Sequence, residues 1–236
     1  MFSRETHSQE SKLAKKERNG LVYALFWEIS FVFVAIFKRL KVSPNQVTVL
    51  GFILAVGSGA CFAYGQYALN VLGAVCFFLS MICDCADGKL ARELNKTSNL
   101  GIWLDYNFDY IKYLFVYPPL VMAVFRETGD PRFIVYGFII LTTILTYVIV
   151  TQRFGEFPFA QGETKAMTTG WRHQIAKQFY AYDLIEAVLL LIFALIGALD
   201  WFLLVWAAYF SMFYLATTVV FGKSIQKYDA QFRKKT

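Results

Sequence analysis

Apolar residues run almost unbroken over positions 46–64, 68–83, 102–125, 133–151, 184–199 and 201–221, with short polar breaks between them. Most of these runs are long enough, or nearly so, to cross about 30 Å of hydrocarbon as α-helices. Tight turns at Gly129-Asp130-Pro131 and Ala198-Leu199-Asp200 separate the later ones. The pattern predicts an all-α membrane protein with six transmembrane helices and no soluble domain attached. A seventh apolar run, 20–37, is aromatic-rich and interrupted by Glu28. Lys15, Lys16, Glu17 and Arg18 precede it and Lys38, Arg39 and Lys41 follow, with no small-residue cleavage site. Basic flanks on both sides predict an N-terminal amphipathic helix lying in the interface. The chain therefore divides into a tail and interfacial helix (1–43), a six-helix catalytic domain (44–222) and a basic C-terminal tail (223–236).

Composition agrees with this class: 57% of residues are hydrophobic and 18% aromatic, and mean hydropathy is +0.46. Charge then orients the bundle. If Pro44 opens the first span from the cytoplasm, 20 of the 23 Lys and Arg fall on cytoplasmic stretches. Only Arg126 and Arg132 fall outside, and Lys112 lies within a span. The positive-inside rule favours this arrangement, with both termini cytoplasmic. The net charge of +6 is then a property of a membrane surface, attracting anionic headgroups, and no reason to invoke nucleic acid. Cys61, Cys76, Cys83 and Cys85 have no zinc-type spacing and read as small buried hydrophobes.

Four carboxylates break the apolar pattern. Asp84, Asp87, Gly88 and Ala91 are spaced to share one helical face, and Gly101, Asp105 and Asp109 share a face of the next helix. Carboxylates inside membrane helices are costly. Four of them converging would repel one another unless cations were bound between them, which points to a divalent-metal site. Hard oxygen ligands suit Mg2+ or Mn2+. Arg92 beside them is a natural phosphate partner, since a guanidinium fork matches phosphate oxygens. Each neighbour also has an ordinary explanation: the glycines as helix contacts, Arg92 as a positive-inside residue, and Asn45 and Thr48 as capping residues after Pro44.

Residues 84–109 fit D-x2-D-G-x2-A-R-x8-G-x3-D-x3-D at all eight fixed positions. This resembles the signature of the CDP-alcohol phosphotransferases, the integral-membrane enzymes of phospholipid headgroup synthesis. Ser43-Pro44-Asn45-Gln46-Val47-Thr48 is similar to the opening of the family's first helix. The resemblance covers about residues 40 to 115; the later helices match only in number and hydrophobicity. It implies a two-metal site of Mg2+ or Mn2+ on Asp84, Asp87, Asp105 and Asp109, with Asp109 also the general base that takes the acceptor hydroxyl's proton. It further implies a nucleotide subsite at Asn45, Thr48, Gly88, Ala91, Arg92 and Gly101. The partners implied are a CDP-linked lipid donor, a small alcohol acceptor and a second copy of the chain in a homodimer. Lys112 and Arg153 are candidates for the acceptor's phosphate, although Tyr110 stands where family members using phosphorylated acceptors commonly carry Arg or Lys.

The expected reaction is transfer of a phosphatidyl group from CDP-diacylglycerol to an acceptor alcohol with release of CMP. One alternative exchanges the roles, with CDP-choline or CDP-ethanolamine as donor and diacylglycerol as acceptor. A second, of another class, is a membrane cation transporter with an acidic site. A transporter places its carboxylates near midplane and has no need of Gly88, Ala91 and Arg92 at these intervals.

Overall fold

A computed structural model describes residues 21–156 and 182–232. These form seven α-helices: α1 (Leu21–Arg39), α2 (Pro44–Tyr64), α3 (Tyr67–Glu93), α4 (Asn99–Thr128), α5 (Arg132–Glu156), α6 (Tyr182–Leu195) and α7 (Leu199–Phe232). No strand occurs among the described residues. By length and apolarity α2, α3, α4 and the 199–216 part of α7 suffice to cross a membrane. Arg132–Tyr147 and Leu184–Leu195 are shorter apolar stretches.

Helices α2, α3 and α4 form the centre, with α2 packed along both of the others. Small residues let them approach. A Cβ on Gly51 would lie 3.1 Å from that of Cys83 on α3, and one on Gly73 would lie 3.0 Å from the Ser58 carbonyl. The closest approach is at Gly59, whose missing Cβ would sit 2.0 Å from the Phe115 carbonyl oxygen of α4. Pro119 explains that carbonyl. Proline has no N–H to give its i−4 partner, so Phe115 O is left to face another helix. Membrane helices tolerate such a break when a neighbour covers it, and here the covering residue is a glycine.

Around this centre α1 and α6 pack on α3, and α5 packs on α4 and α7. Buried aromatics fill the outer layer: Trp206 stacks near-parallel with Phe202 and Tyr209 and meets Phe210 edge-on. Glu186, buried on α6, accepts a hydrogen bond from the Tyr117 hydroxyl of α4.

Helix ends follow local chemistry. Ser43 caps α2 in a reciprocal capping box with Gln46, and Pro44 occupies the first turn. Helix α1 ends in a Schellman pair, Val42 N–H to Phe37 O and Lys41 N–H to Lys38 O. Lys41 at that cap has φ 55°, a left-handed conformation usually given to glycine. Asn95 closes α3 in the same way, with φ 54°. On the opposite side of the bundle, Arg126 donates to the α2 carbonyl of Ala63 at 2.6 Å. There too Arg132 pairs with Asp130 at 2.5 Å and holds that carboxyl below its ordinary range by hydrogen bonding.

The two helices that carry the aspartates extend past their apolar runs. α3 continues from 83 to Glu93 and α4 begins at Asn99, so all four aspartates are helical. The run over 20–37, expected to lie in the interface, falls within or beside helix α1. It buries Phe26, Ser30, Val34 and Phe37 and leaves Leu25, Val32 and Ile36 exposed.

Candidate active site

Three helices supply one pocket. Thr48, Gly51 and Phe52 come from α2; Ser80, Asp84 and Asp87 from α3; Asp105, Phe108, Asp109 and Lys112 from α4. The space between them is about 250 Å3, open to the outside. The helical spacing of the aspartates points both acidic faces inward. Carboxylate oxygens of Asp84, Asp105 and Asp109 lie within 4.8 Å of one another. Asp87, only 5% exposed, stands beside that trio and accepts a hydrogen bond from the Thr48 hydroxyl at 2.5 Å. Lys112, buried, donates to Asp109 at 2.8 Å.

The charge balance favours a cation. Four aspartates share a half-buried site with one lysine, and carboxylates so close repel one another strongly when ionised. The pocket's donor set is oxygen-rich and without thiolate, which suits a hard divalent ion. Cys83, the nearest cysteine in sequence, packs instead among Val34, Phe37, Val47, Ala86 and Leu90. Asp84, Asp105 and Asp109 thus form a cluster able to hold a metal ion.

The other sequence-predicted residues divide by place. Ser43 performs the capping at the start of α2, which releases Thr48 to bind Asp87 and Asn45 to face α4. A Cβ on Gly101 would lie 2.9 Å from Asn45 Oδ1, so glycine there admits the Asn45 amide. Gly88 does the same for Arg92, whose guanidinium nitrogen lies 3.4 Å from the notional Cβ. Arg92 is exposed and Ala91 half-buried on the same face. Arg153 falls in the last turns of α5 and its side chain is outside the described residues, as are Lys165, Arg172 and Lys177.

Some lining residues had escaped the sequence reading. Phe52 and Phe108 stack at 4.3 Å and form an apolar wall, and Gly51 and Ser80 make the α2–α3 contact at its floor. The signal was present, since Phe52 lies one helical turn beyond Thr48, but aromatic residues in an apolar run do not announce a pocket. Lys89, counted among the positive-inside charges, is 3% exposed and buried against α1.

Depth follows from helix rise. At about 1.5 Å per residue, Asp109 lies roughly 28 Å from Thr128 at the far end of α4, Asp84 roughly 25 Å from Tyr67, and Thr48 roughly 24 Å from Tyr64. These spans approach the full thickness of about 30 Å of hydrocarbon. The pocket is thus nearer to the α3–α4 connection than to the far ends of these helices.

The sequence profile of the CDP-alcohol phosphatidyltransferases matches residues 41–220. Curated relatives match over shorter stretches. The bifunctional IPC transferase and DIPP synthase of Thermococcus kodakarensis is 33% identical over 118 residues, 48% of this chain and 25% of that protein. The phosphatidylinositol phosphate synthase of Streptomyces avermitilis is 33% identical over 101 residues, 42% of this chain and 40% of that protein. The archaetidylinositol phosphate synthase of Pyrococcus horikoshii is 32% identical over 71 residues, 30% of this chain and 36% of that protein. The matched stretch is thus well under half the length of each of these relatives. The profile, by contrast, runs from the start of α2 through most of α7, across every residue that lines the pocket. With its acidic pocket in an apolar helical bundle, this chain belongs to the CDP-alcohol phosphatidyltransferase family.

Proposed function

We propose that the pocket transfers a phosphatidyl group from CDP-diacylglycerol, or a lipid of the same CDP-linked class, to the hydroxyl of a phosphorylated polyol. The observation that carries this reading is the convergence of Asp84, Asp105 and Asp109, with Asp87 alongside, on the half of the helices nearer the α3–α4 connection. A nucleotide reaches such a site from water and a diacylglycerol from lipid. A cation transporter would need its carboxylates deeper, and family membership makes the chain an enzyme.

Asp84, Asp87, Asp105 and Asp109 would hold two Mg2+ or Mn2+ ions, which when bound offset pyrophosphate charge and favour departure of CMP. The chain's own residues divide the remaining work. Thr48 orients Asp87 by its hydrogen bond. Asn45, Gly88, Ala91 and Gly101 would form the cytidine subsite, and the exposed Arg92 guanidinium would meet a phosphate. The acceptor oxygen attacks the lipid-bearing phosphorus. The P–O bond to CMP breaks, and the acceptor's proton passes to the Asp109 carboxylate. Lys112, paired with Asp109, would meet an acceptor phosphate. Arg153 is a second candidate for that phosphate. The acceptor class is suggested by the relatives, two of whose names specify an inositol phosphate lipid as product.

The test is CMP release from CDP-diacylglycerol by the purified protein, across serine, glycerol phosphate, inositol and inositol phosphate. Activity is expected with Mg2+ or Mn2+ and a phosphorylated acceptor. Asp109→Asn should lower kcat by at least ~100-fold, within the range expected for losing a general base. Turnover with serine or free inositol alone would remove the phosphorylated-acceptor assignment. An unimpaired Asp109→Asn would remove the base.

A further inference from the structure

The motif segment of α3 has two working faces. Asp84 and Asp87 line the pocket, and Gly88 and Ala91 follow on the same helical face. Ala86, Lys89, Leu90 and Glu93, also spaced i, i+3, i+4 and i+7, lie on another side, and they meet α1. Ala86 and Leu90 pack with Val34 and Phe37. Glu93 pairs with Lys38 at 2.6 Å. Two helical turns back, Phe26 meets Phe78 at 4.9 Å.

Lys89 is the unusual member. A buried ammonium is costly unless its hydrogens find acceptors. Its Nζ donates to the Trp27 carbonyl at 2.9 Å and to the Ser30 hydroxyl, and lies 3.5 Å from the Trp27 ring centroid and 4.5 Å from that of Phe31. All of these partners belong to α1. Oxygen acceptors and aromatic faces together form a cage for this cation. An apolar residue would pack there without that cost, so the lysine specifies a register between α1 and α3 that hydrophobic contact alone would leave free to slide.

We infer that Lys89 is a positioning residue for the metal site: it locks α3 against α1 and so fixes the rotation at which Asp84 and Asp87 enter the pocket. The leverage is geometric. A side chain extends about 5–6 Å from the helix axis, so a 10° rotation of α3 moves these carboxylates by roughly 1 Å. Metal ligation tolerates about 0.2 Å, and a displacement of about 1 Å can cost ~100-fold in rate. Because α1 contributes no pocket residue, it acts from behind, through α3.

This rests on the assignment of the aspartates as metal ligands, so the experiment separates the two. Mn2+ affinity is measured by electron paramagnetic resonance on the purified full-length protein without substrate, beside thermal melting and CMP release. Lys89→Met should weaken Mn2+ binding by ~10-fold to ~100-fold, the range for lost outer partners of a ligand, while the melting temperature stays near that of the parent. Lowered CMP release should recover toward the parent at saturating Mn2+. Ser30→Ala removes one acceptor without altering α3, and should shift Mn2+ affinity in the same direction by less; it decides the matter if Lys89→Met does not fold. Unchanged Mn2+ affinity in a folded Lys89→Met, or in Ser30→Ala in its place, overturns the inference. Asp87→Asn is the control. If it abolishes Mn2+ binding while Lys89→Met leaves binding intact, only the role of Lys89 falls. If neither changes Mn2+ binding, the metal assignment and the inference fall together.

Discussion

At the scale of single residues, Thr48 shows how much one hydroxyl can do. It is buried on α2, follows a proline and resembles a capping residue, yet its hydrogen bond crosses to Asp87 on α3. Removing it leaves a buried carboxylate short of a donor, which costs on the order of 1–3 kcal/mol. Thr48→Val is therefore expected to lower kcat/KM for CMP release about tenfold and to raise the Mn2+ concentration needed for half-maximal rate, whereas Thr48→Ser keeps both near the parent; a Mn2+ titration of initial rates checks it. The aspartates themselves were legible because helical periodicity alone puts Asp84 with Asp87 and Asp105 with Asp109. The crossing bond was not, because nothing along the sequence shows which residue of α2 faces which residue of α3. The burial of Lys89 against α1 is hidden in the sequence for a related reason. A lysine near the end of an apolar run conforms to positive-inside statistics whether it meets water or a cage of α1 atoms.

At the scale of helices, the α2–α4 seam is set by Gly59 and by the carbonyl that Pro119 unmasks. Gly59→Leu forces these helices apart, since even a Cβ would overlap Phe115 O. Overpacking of this kind costs about 1–3 kcal/mol. The expected outcome is a lowered melting temperature in detergent together with reduced activity, because Thr48 and Asp109 sit on the two helices being separated. Gly57→Leu is the matched control: a Cβ there meets nothing within 4 Å, and both quantities should stay near the parent. Helix existence was readable from the apolar runs, and their ends were not. The run over 68–83 stops where polar residues begin, but α3 continues for another ten residues because Asp84, Lys89 and Glu93 each find a partner helix. Six spans were predicted; four helices meet the length and apolarity of a span among the described residues, with two shorter apolar stretches beside them.

At the scale of the molecule, charge and depth combine. The pocket lies nearer to the α3–α4 connection, with its Lys96, than to Arg126 and Arg132 at the other end of α4. If the basic side is cytoplasmic, a cysteine replacing Thr97 in a cysteine-free background reacts with a membrane-impermeant maleimide only from the cytoplasmic face. One replacing Glu127, exposed at the other end of α4, reacts only from the opposite face. The reverse labelling would invert the orientation while leaving the pocket chemistry intact. This level was the most legible of the three, since hydropathy and charge are sums over many residues and survive errors at any one of them.

The two-sided segment of α3 has a consequence for how the protein can vary. Between Asp84 and Glu93, Asp84 and Asp87 line the pocket, Ala86, Lys89, Leu90 and Glu93 meet α1, and Cys85 is half-buried against the main core. A stretch so fully committed has almost no silent positions, so a substitution that suits one side is judged at once by the other. Changes of substrate preference are therefore easier to accommodate elsewhere, on the α4 face beyond Asp109 and in the later helices. There a side chain can be exchanged without turning the shaft on which the carboxylates are mounted.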